Sequence, residues 1–129
     1  MILENIIISY NIIMTCLWDA LRNKLQVKEN NKDFILYLKK SNKMNNSILW
    51  NNEKLSVKQL EENFEHIQNF DETKIGDGYD CSTCDPFLIL ICEIYDVNIH
   101  HNYNGHIMKY VKGEQCKILN FNSNSGHFS

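Results

Sequence analysis

Cys16 and His127 are the two residues of this chain whose types can do covalent chemistry together. Cys16 stands in the stretch Thr15-Cys-Leu-Trp-Asp-Ala-Leu21. Leu17, Ala20, Leu21 and Leu25 fall at helical spacing, which predicts a helix with one buried face and the cysteine in its first turn. Thr15 suits the N-cap and Asp19 suits the positive helix end. The dipole and the free N–H groups of a helix start favour a thiolate, so the position predicts a lowered pKa. His127 stands in Ser125-Gly-His-Phe-Ser129. A thiolate attacks an acyl carbon, and a histidine beside it protonates the leaving amine. The two residues need not be close in sequence, because the fold brings such pairs together. Taken separately, each has a plainer reading: Cys16 as a small buried apolar residue, His127 as part of a tail.

The elements that must position them follow from the pattern. Residues 5–13, with Ile6, Ile7, Ile8, Tyr10, Ile12 and Ile13, predict a strand leading into the cysteine turn. The cysteine helix runs from about residue 16 to 25. A second helix capped by Asp33 carries Phe34, Ile35, Tyr37 and Leu38 inward and ends on Lys39 and Lys40. Ser56-Val-Lys-Gln59 is a capping box, opening a helix with Val57, Leu60, Phe64 and Ile67 on one face. Asp85-Pro86 predicts another helix start, and the helix to Tyr95 is apolar nearly all round, which places it in the core. Three strands are expected after it, over 97–101, 106–111 and 116–121, with turns at Gly105 and Lys112–Gln115. The expectation is one α+β domain over residues 1–129: helices packed on a small, mostly antiparallel sheet, with His127 just past its last strand.

Composition narrows the function. A chain of 129 residues with 43% hydrophobic and 22% charged residues reads as one soluble globular domain. A net charge of −3 argues against a nucleic-acid partner, which calls for a basic stripe. No apolar run reaches the roughly 18 residues of a membrane span, and the apolar N-terminus lacks the basic segment of a signal peptide. Asn, Ile and Lys abound while Ala, Pro and Arg occur once each, as AT-rich coding produces. The five cysteines, Cys16, Cys81, Cys84, Cys92 and Cys116, are an odd number and fit free thiols in a reducing compartment better than a disulfide framework.

Two other groupings carry chemistry. Cys81-Ser-Thr-Cys84 has zinc-ligand spacing, with Cys92, Cys116, His100, His101 and His106 available to complete a site. There is no second Cys-x-x-Cys, and Cys92 falls on the apolar helix, so no metal is expected. A non-catalytic zinc- or protein-binding module built around Cys81 and Cys84 is the alternative function. His100 and His101 point to opposite faces of a strand, and His66 is expected in solvent. The loop over 71–80 holds Asp71, Glu72, Asp77 and Asp80, with Gly76 and Gly78 to let it approach an extended peptide.

The stretch Cys16-Leu-Trp-Asp-Ala-Leu21 resembles the nucleophile motif of the ovarian-tumour (OTU) cysteine proteases: Cys, Leu, an aromatic, any residue, Ala and an aliphatic. Asp85 to Ile99 resembles that family's central helix and following strand, and Gly126-His127-Phe128 its catalytic histidine with an aromatic after it. The resemblance spans residues 10–128 in order and is similar to the compact papain-like members found in some plus-strand RNA viruses. It implies a papain-related fold and hydrolysis of the bond after the C-terminal Gly-Gly of ubiquitin or a ubiquitin-like modifier, or of a viral polyprotein. It implies Cys16 as nucleophile, His127 as general base and acid, no cofactor, and a monomer acting in host cytoplasm. The acids, Asp77 and Asp80 among them, would then face the basic tail of ubiquitin. The chain departs from the family in two places. Ile12, Ile13 and Met14 replace the Asp-Gly-Asn before the cysteine, which leaves backbone N–H groups of Met14 to Cys16, with Asn11, for the oxyanion hole. Ser129 stands where Asp or Asn orients the histidine. Either the site is a Cys–His dyad, or Ser129 orients the ring, or an acid elsewhere does.

Overall fold

The computed structural model describes residues 16–44, 47–73, 81–124 and 127–129, and of residues 81–84 and 127 it describes the backbone. The strand expected over 5–13 lies outside the described residues, as do Asn11 and the loop positions Asp77 and Asp80.

Helix α1 covers residues 16–25. Its leucine stripe goes inward as the spacing predicts: Leu17, Trp18 and Leu21 are buried. Helix α2 is Asn31–Lys40, and its N-cap is Asn30, whose Oδ1 accepts the Asp33 N–H at 2.8 Å. Asp33 therefore sits inside the first turn rather than capping it. Phe34, Ile35 and Leu38 are buried, but Tyr37, expected inward, is 49% exposed. A four-residue stripe of that width exceeds the contact face of one helix on another, and Tyr37 lies at its edge. The side chain of Arg22, the chain's one arginine, ties α1 to the start of α2, donating to Asn31 Oδ1 at 2.5 Å and to the Glu29 carbonyl at 2.9 Å.

Strands β1 (Leu49–Trp50) and β2 (Glu53–Lys54) form a hairpin that the apolar pattern does not reveal. Its turn residues Asn51 and Asn52 both take positive φ, 51° and 68°, which asparagine tolerates and a two-residue hairpin turn needs. Helix α3 (Val57–Asn69) starts on the expected capping box, Ser56 and Gln59 each bonding the other's backbone N–H. Leu60 and Ile67 are buried; Val57, in the exposed first turn, is not. Helix α4 runs Cys81–Tyr95, one turn longer than expected, with Pro86 inside it. Proline there forgoes one backbone bond near the helix start, where few bonds yet exist to lose. Asp85 is consequently not a cap; its carboxylate accepts the Tyr110 hydroxyl.

Strands β3 (Val97–Tyr103), β4 (His106–Val111), β5 (Lys117–Asn124) and β6 (His127–Phe128) complete the sheet. The strand order is β2-β1-β4-β3-β5-β6. β3 and β4 form a hairpin through Asn104 and Gly105, at φ 51° and 92°. The next connection crosses the end of β3, so β5 pairs with β3 in parallel, while the other described pairings are antiparallel. Asn98 holds that crossing: its side chain accepts the Lys112 N–H at 2.8 Å and donates to the Gly113 carbonyl at 2.7 Å. The core lies between the helices and one face of this sheet, with α4 at its centre. Phe87, Leu88, Ile91, Ile99 and Tyr110 are fully buried there. The result is α+β with a mixed sheet. No helix among the described residues is long and apolar enough to cross a membrane.

Candidate active site

Two buried side chains set the geometry around Cys16. Trp18, two residues after Cys16 on α1, packs against Phe34 of α2, Phe70 after α3 and Phe87 of α4, with ring centroids 6.2, 5.7 and 5.0 Å away. Three contacts from three elements lock the rotation of α1, and with it the position of the cysteine. At the other edge of the sheet Phe128, 1% exposed, packs on Phe121 at 5.2 Å and on the His101 ring at 5.0 Å. This anchors the two-residue strand β6, which would otherwise be too short to hold its place.

The ladder explains how β6 meets the thiol. Asn122 and Ser129 exchange both backbone bonds, at 3.0 and 2.8 Å. One step along, Phe128 opposes Ser123 without bonding to it, so the Phe128 N–H points away from β5. That N–H donates to Cys16 Sγ at 3.0 Å. Cys16 and the segment that holds His127 are thus brought together although 111 positions separate the two residues (127 − 16).

The electrostatics correct one expectation. Burial pushes the Cys16 thiol up from its ordinary value, and Asp19 adds to this; the N–H groups of Phe128, Cys16 itself and Leu17 pull the other way without prevailing. Cys16 is 8% exposed, and removing its thiolate from water outweighs what these N–H groups supply. A lowered pKa therefore calls for a cation beside the sulfur.

The remaining expected positions fall as follows. The exposed Ser129 is held by its backbone pairing with Asn122, and its Oγ lies 3.5 Å from the Asn122 carbonyl oxygen. Asn11, Met14, Thr15, Asp77 and Asp80 are outside the described residues. Cys81 and Cys84 open α4. Cys92 is core, its thiol pushed up to about 12 by burial. Among the described residues no group of three or more His, Cys, Asp or Glu is placed to hold a metal ion. His100 is half-buried and His101 fully buried, in keeping with opposite faces. His66, expected in solvent, is half-buried beside Phe87 at 6.4 Å, because α3 packs that side onto α4.

One pair of polar residues at the site escapes sequence reasoning. His101 Nε2 and Ser123 Oγ share a hydrogen bond of 2.5 Å, both residues buried beneath Phe128. Burial lowers the His101 pKa, and no described residue bonds its Nδ1. The alternation of β5 placed Ser123 on the inward face; nothing in the pattern linked it to a histidine of β3.

Comparison of the chain with protein families, with curated proteins and with solved structures gives no match.

Proposed function

We propose that this chain is a cysteine protease of OTU-like, papain-related fold, hydrolysing the bond after the C-terminal Gly-Gly of ubiquitin or a ubiquitin-like modifier. One observation carries the reading: Cys16 of α1 receives the Phe128 N–H of the His127–Phe128 strand at 3.0 Å. The backbone of the strand that holds the histidine thus reaches the helix-borne cysteine, which supports pairing the two residues. In this reading His127 takes the thiol proton, and the resulting imidazolium stabilises the thiolate against the burial that disfavours it. The thiolate attacks the glycine carbonyl, the imidazolium protonates the leaving amine, and water releases the acyl group by the reverse proton path. Backbone N–H groups near Cys16, with Asn11, hold the oxyanion. A viral polyprotein is a further substrate of the same chemistry, and no cofactor takes part.

The test is reaction with ubiquitin carrying a thiol-reactive group at its C-terminus, followed by peptide mapping. A covalent adduct at Cys16, absent from the Cys16→Ala variant, is the expected result. Cleavage of a ubiquitin–fluorophore substrate should vanish in Cys16→Ala, with the melting temperature within about 5 °C of wild type because little core is removed. No adduct at Cys16, or an adduct on another residue that persists in Cys16→Ala, overturns the reading.

A further inference from the structure

A cavity of about 370 Å³ opens between the α1–α2 connection, α2 and the end of α4. Val27, Glu29, Phe34, Tyr37 and Tyr95 line it, and the protease reading uses none of them. Its size stands at the lower end of small-ligand sites. Phe34 is buried, and its ring centroid lies 6.4 Å from that of Tyr95 with the planes inclined at 57°. The two rings therefore form the walls of a corner rather than a stack. The exposed Tyr37, three residues on from Phe34 and so on the same side of α2, adds a third ring. Burial holds the Tyr95 hydroxyl above its ordinary range, and Tyr37 and Glu29 add to this, which places the polar ends of the three residues near one another. Among the described residues no Lys or Arg forms an ion pair with the Glu29 carboxylate.

We propose that this cavity binds a quaternary ammonium group, held over the rings of Phe34, Tyr37 and Tyr95 and balanced by the Glu29 carboxylate. Three aromatic rings and one carboxylate repel an anion and attract a cation through the ring quadrupoles. The choice among cations follows from hydration. A primary ammonium brings three N–H donors that this lining satisfies only in part, whereas a quaternary ammonium has none to leave unpaired.

The experiment titrates the whole protein at constant ionic strength with tetramethylammonium, choline and the uncharged tert-butyl isostere of choline, following the methyl proton resonances of each probe. Both ammonium probes should bind saturably with their methyl signals moved upfield by the rings, and the isostere should bind about tenfold more weakly than choline. Tyr37→Leu, which keeps apolar bulk but removes the ring, should weaken choline by about threefold to thirtyfold. Tyr37→Phe keeps the ring and should stay within about twofold of wild type. Glu29→Gln should weaken choline by about twofold to fivefold at low salt, with the difference shrinking as salt rises. A peptide carrying trimethyllysine separates the two sources of such a group: tighter binding than choline assigns the site to a modified side chain, weaker binding to a free compound. No saturable binding of any methylated probe, an isostere that binds as well as choline, or unchanged affinity in a folded Tyr37→Leu or Glu29→Gln protein overturns the proposal. Glu29 is exposed, so Glu29→Gln decides should Tyr37→Leu unfold.

Discussion

The Phe128 N–H donates to Cys16 Sγ across 3.0 Å, joining α1 to the short strand β6. The bond exists because Phe128 sits at the non-bonded step of the β5–β6 ladder, with its N–H facing outward. The two ends of the candidate site are therefore set by separate anchors, Trp18 on one side and the Phe128 ring on the other.

Alkylation should report whether His127 is the missing cation. Burial holds the Cys16 thiol above its ordinary value, so without a histidine its thiolate fraction near neutral pH is small. His127→Ala should slow alkylation of Cys16 at pH 7 by about tenfold or more, while Cys92, pushed up to about 12 in the core, stays unreactive in both proteins. An unchanged Cys16 rate, read by mass spectrometry of the peptides, would break the pairing of the two residues.

Phe128 should matter to both stability and activity. Its ring is buried against Phe121 and His101. Phe128→Ala should cost about 3–5 kcal/mol in urea unfolding, and β6 should leave the thiol. Phe128→Leu fills most of the space and should cost less than half as much. Cleavage should fall in step with the loss of packing, and a fully active Phe128→Ala enzyme would show that β6 does not carry the site.

Acid should weaken the same corner through His101. Burial lowers its pKa in the folded protein, so the unfolded chain, at about 6.5, binds the proton first. Above about pH 6.5 both states are neutral and His101 contributes no pH dependence. As pH falls below that value unfolding takes up a proton and stability drops. The fall in melting temperature between pH 7 and pH 5 should be smaller in His101→Gln, which keeps a hydrogen-bonding group for Ser123 but does not titrate. Equal falls in the two proteins would assign the acid sensitivity to other groups.

Asp85 offers the opposite sign. Burial raises its pKa, with the Tyr110 hydroxyl offsetting this in part, so its charge at neutral pH is a cost to the fold. Asp85→Asn keeps an acceptor for Tyr110 and removes the charge; it should be neutral or stabilising at pH 7. Asp85→Ala deletes the oxygen that accepts the Tyr110 hydroxyl and should cost about 1–3 kcal/mol. Chemical denaturation at pH 7 separates the two, and a strongly destabilised Asp85→Asn would mean that the carboxylate is needed ionised.

Much of the fold was legible because local rules and burial agreed. Helix α1, the capping box of α3 and the apolar run of α4 follow from spacing and side-chain type alone. The errors lie where an element's ends depend on competitors nearby. Asn30 caps α2 in place of Asp33 because its side chain reaches the Asp33 N–H. α4 runs back through Pro86, and Tyr37 stays outside because the face it borders is already filled. The asparagines that look like compositional bias are turn and cap residues: Asn51, Asn52 and Asn104 take positive φ, and Asn30 and Asn98 bind backbone.

By itself the sequence determined that Cys16 would lie on a helix and that a strand would precede His127, since periodicity and turn residues are local signals; that residues 127 and 128 form a short strand of their own it did not show. Only the tertiary structure decided that the two ends meet. Strand direction and order, here the parallel β3–β5 pairing and β6 beside β5 at the end of the described strand order, are not written in any residue's neighbours. The thiol's environment was decided there too. Spacing can predict a helix-start thiolate, but burial depends on what packs above, and at Cys16 burial outweighs the N–H groups of Phe128, Cys16 and Leu17.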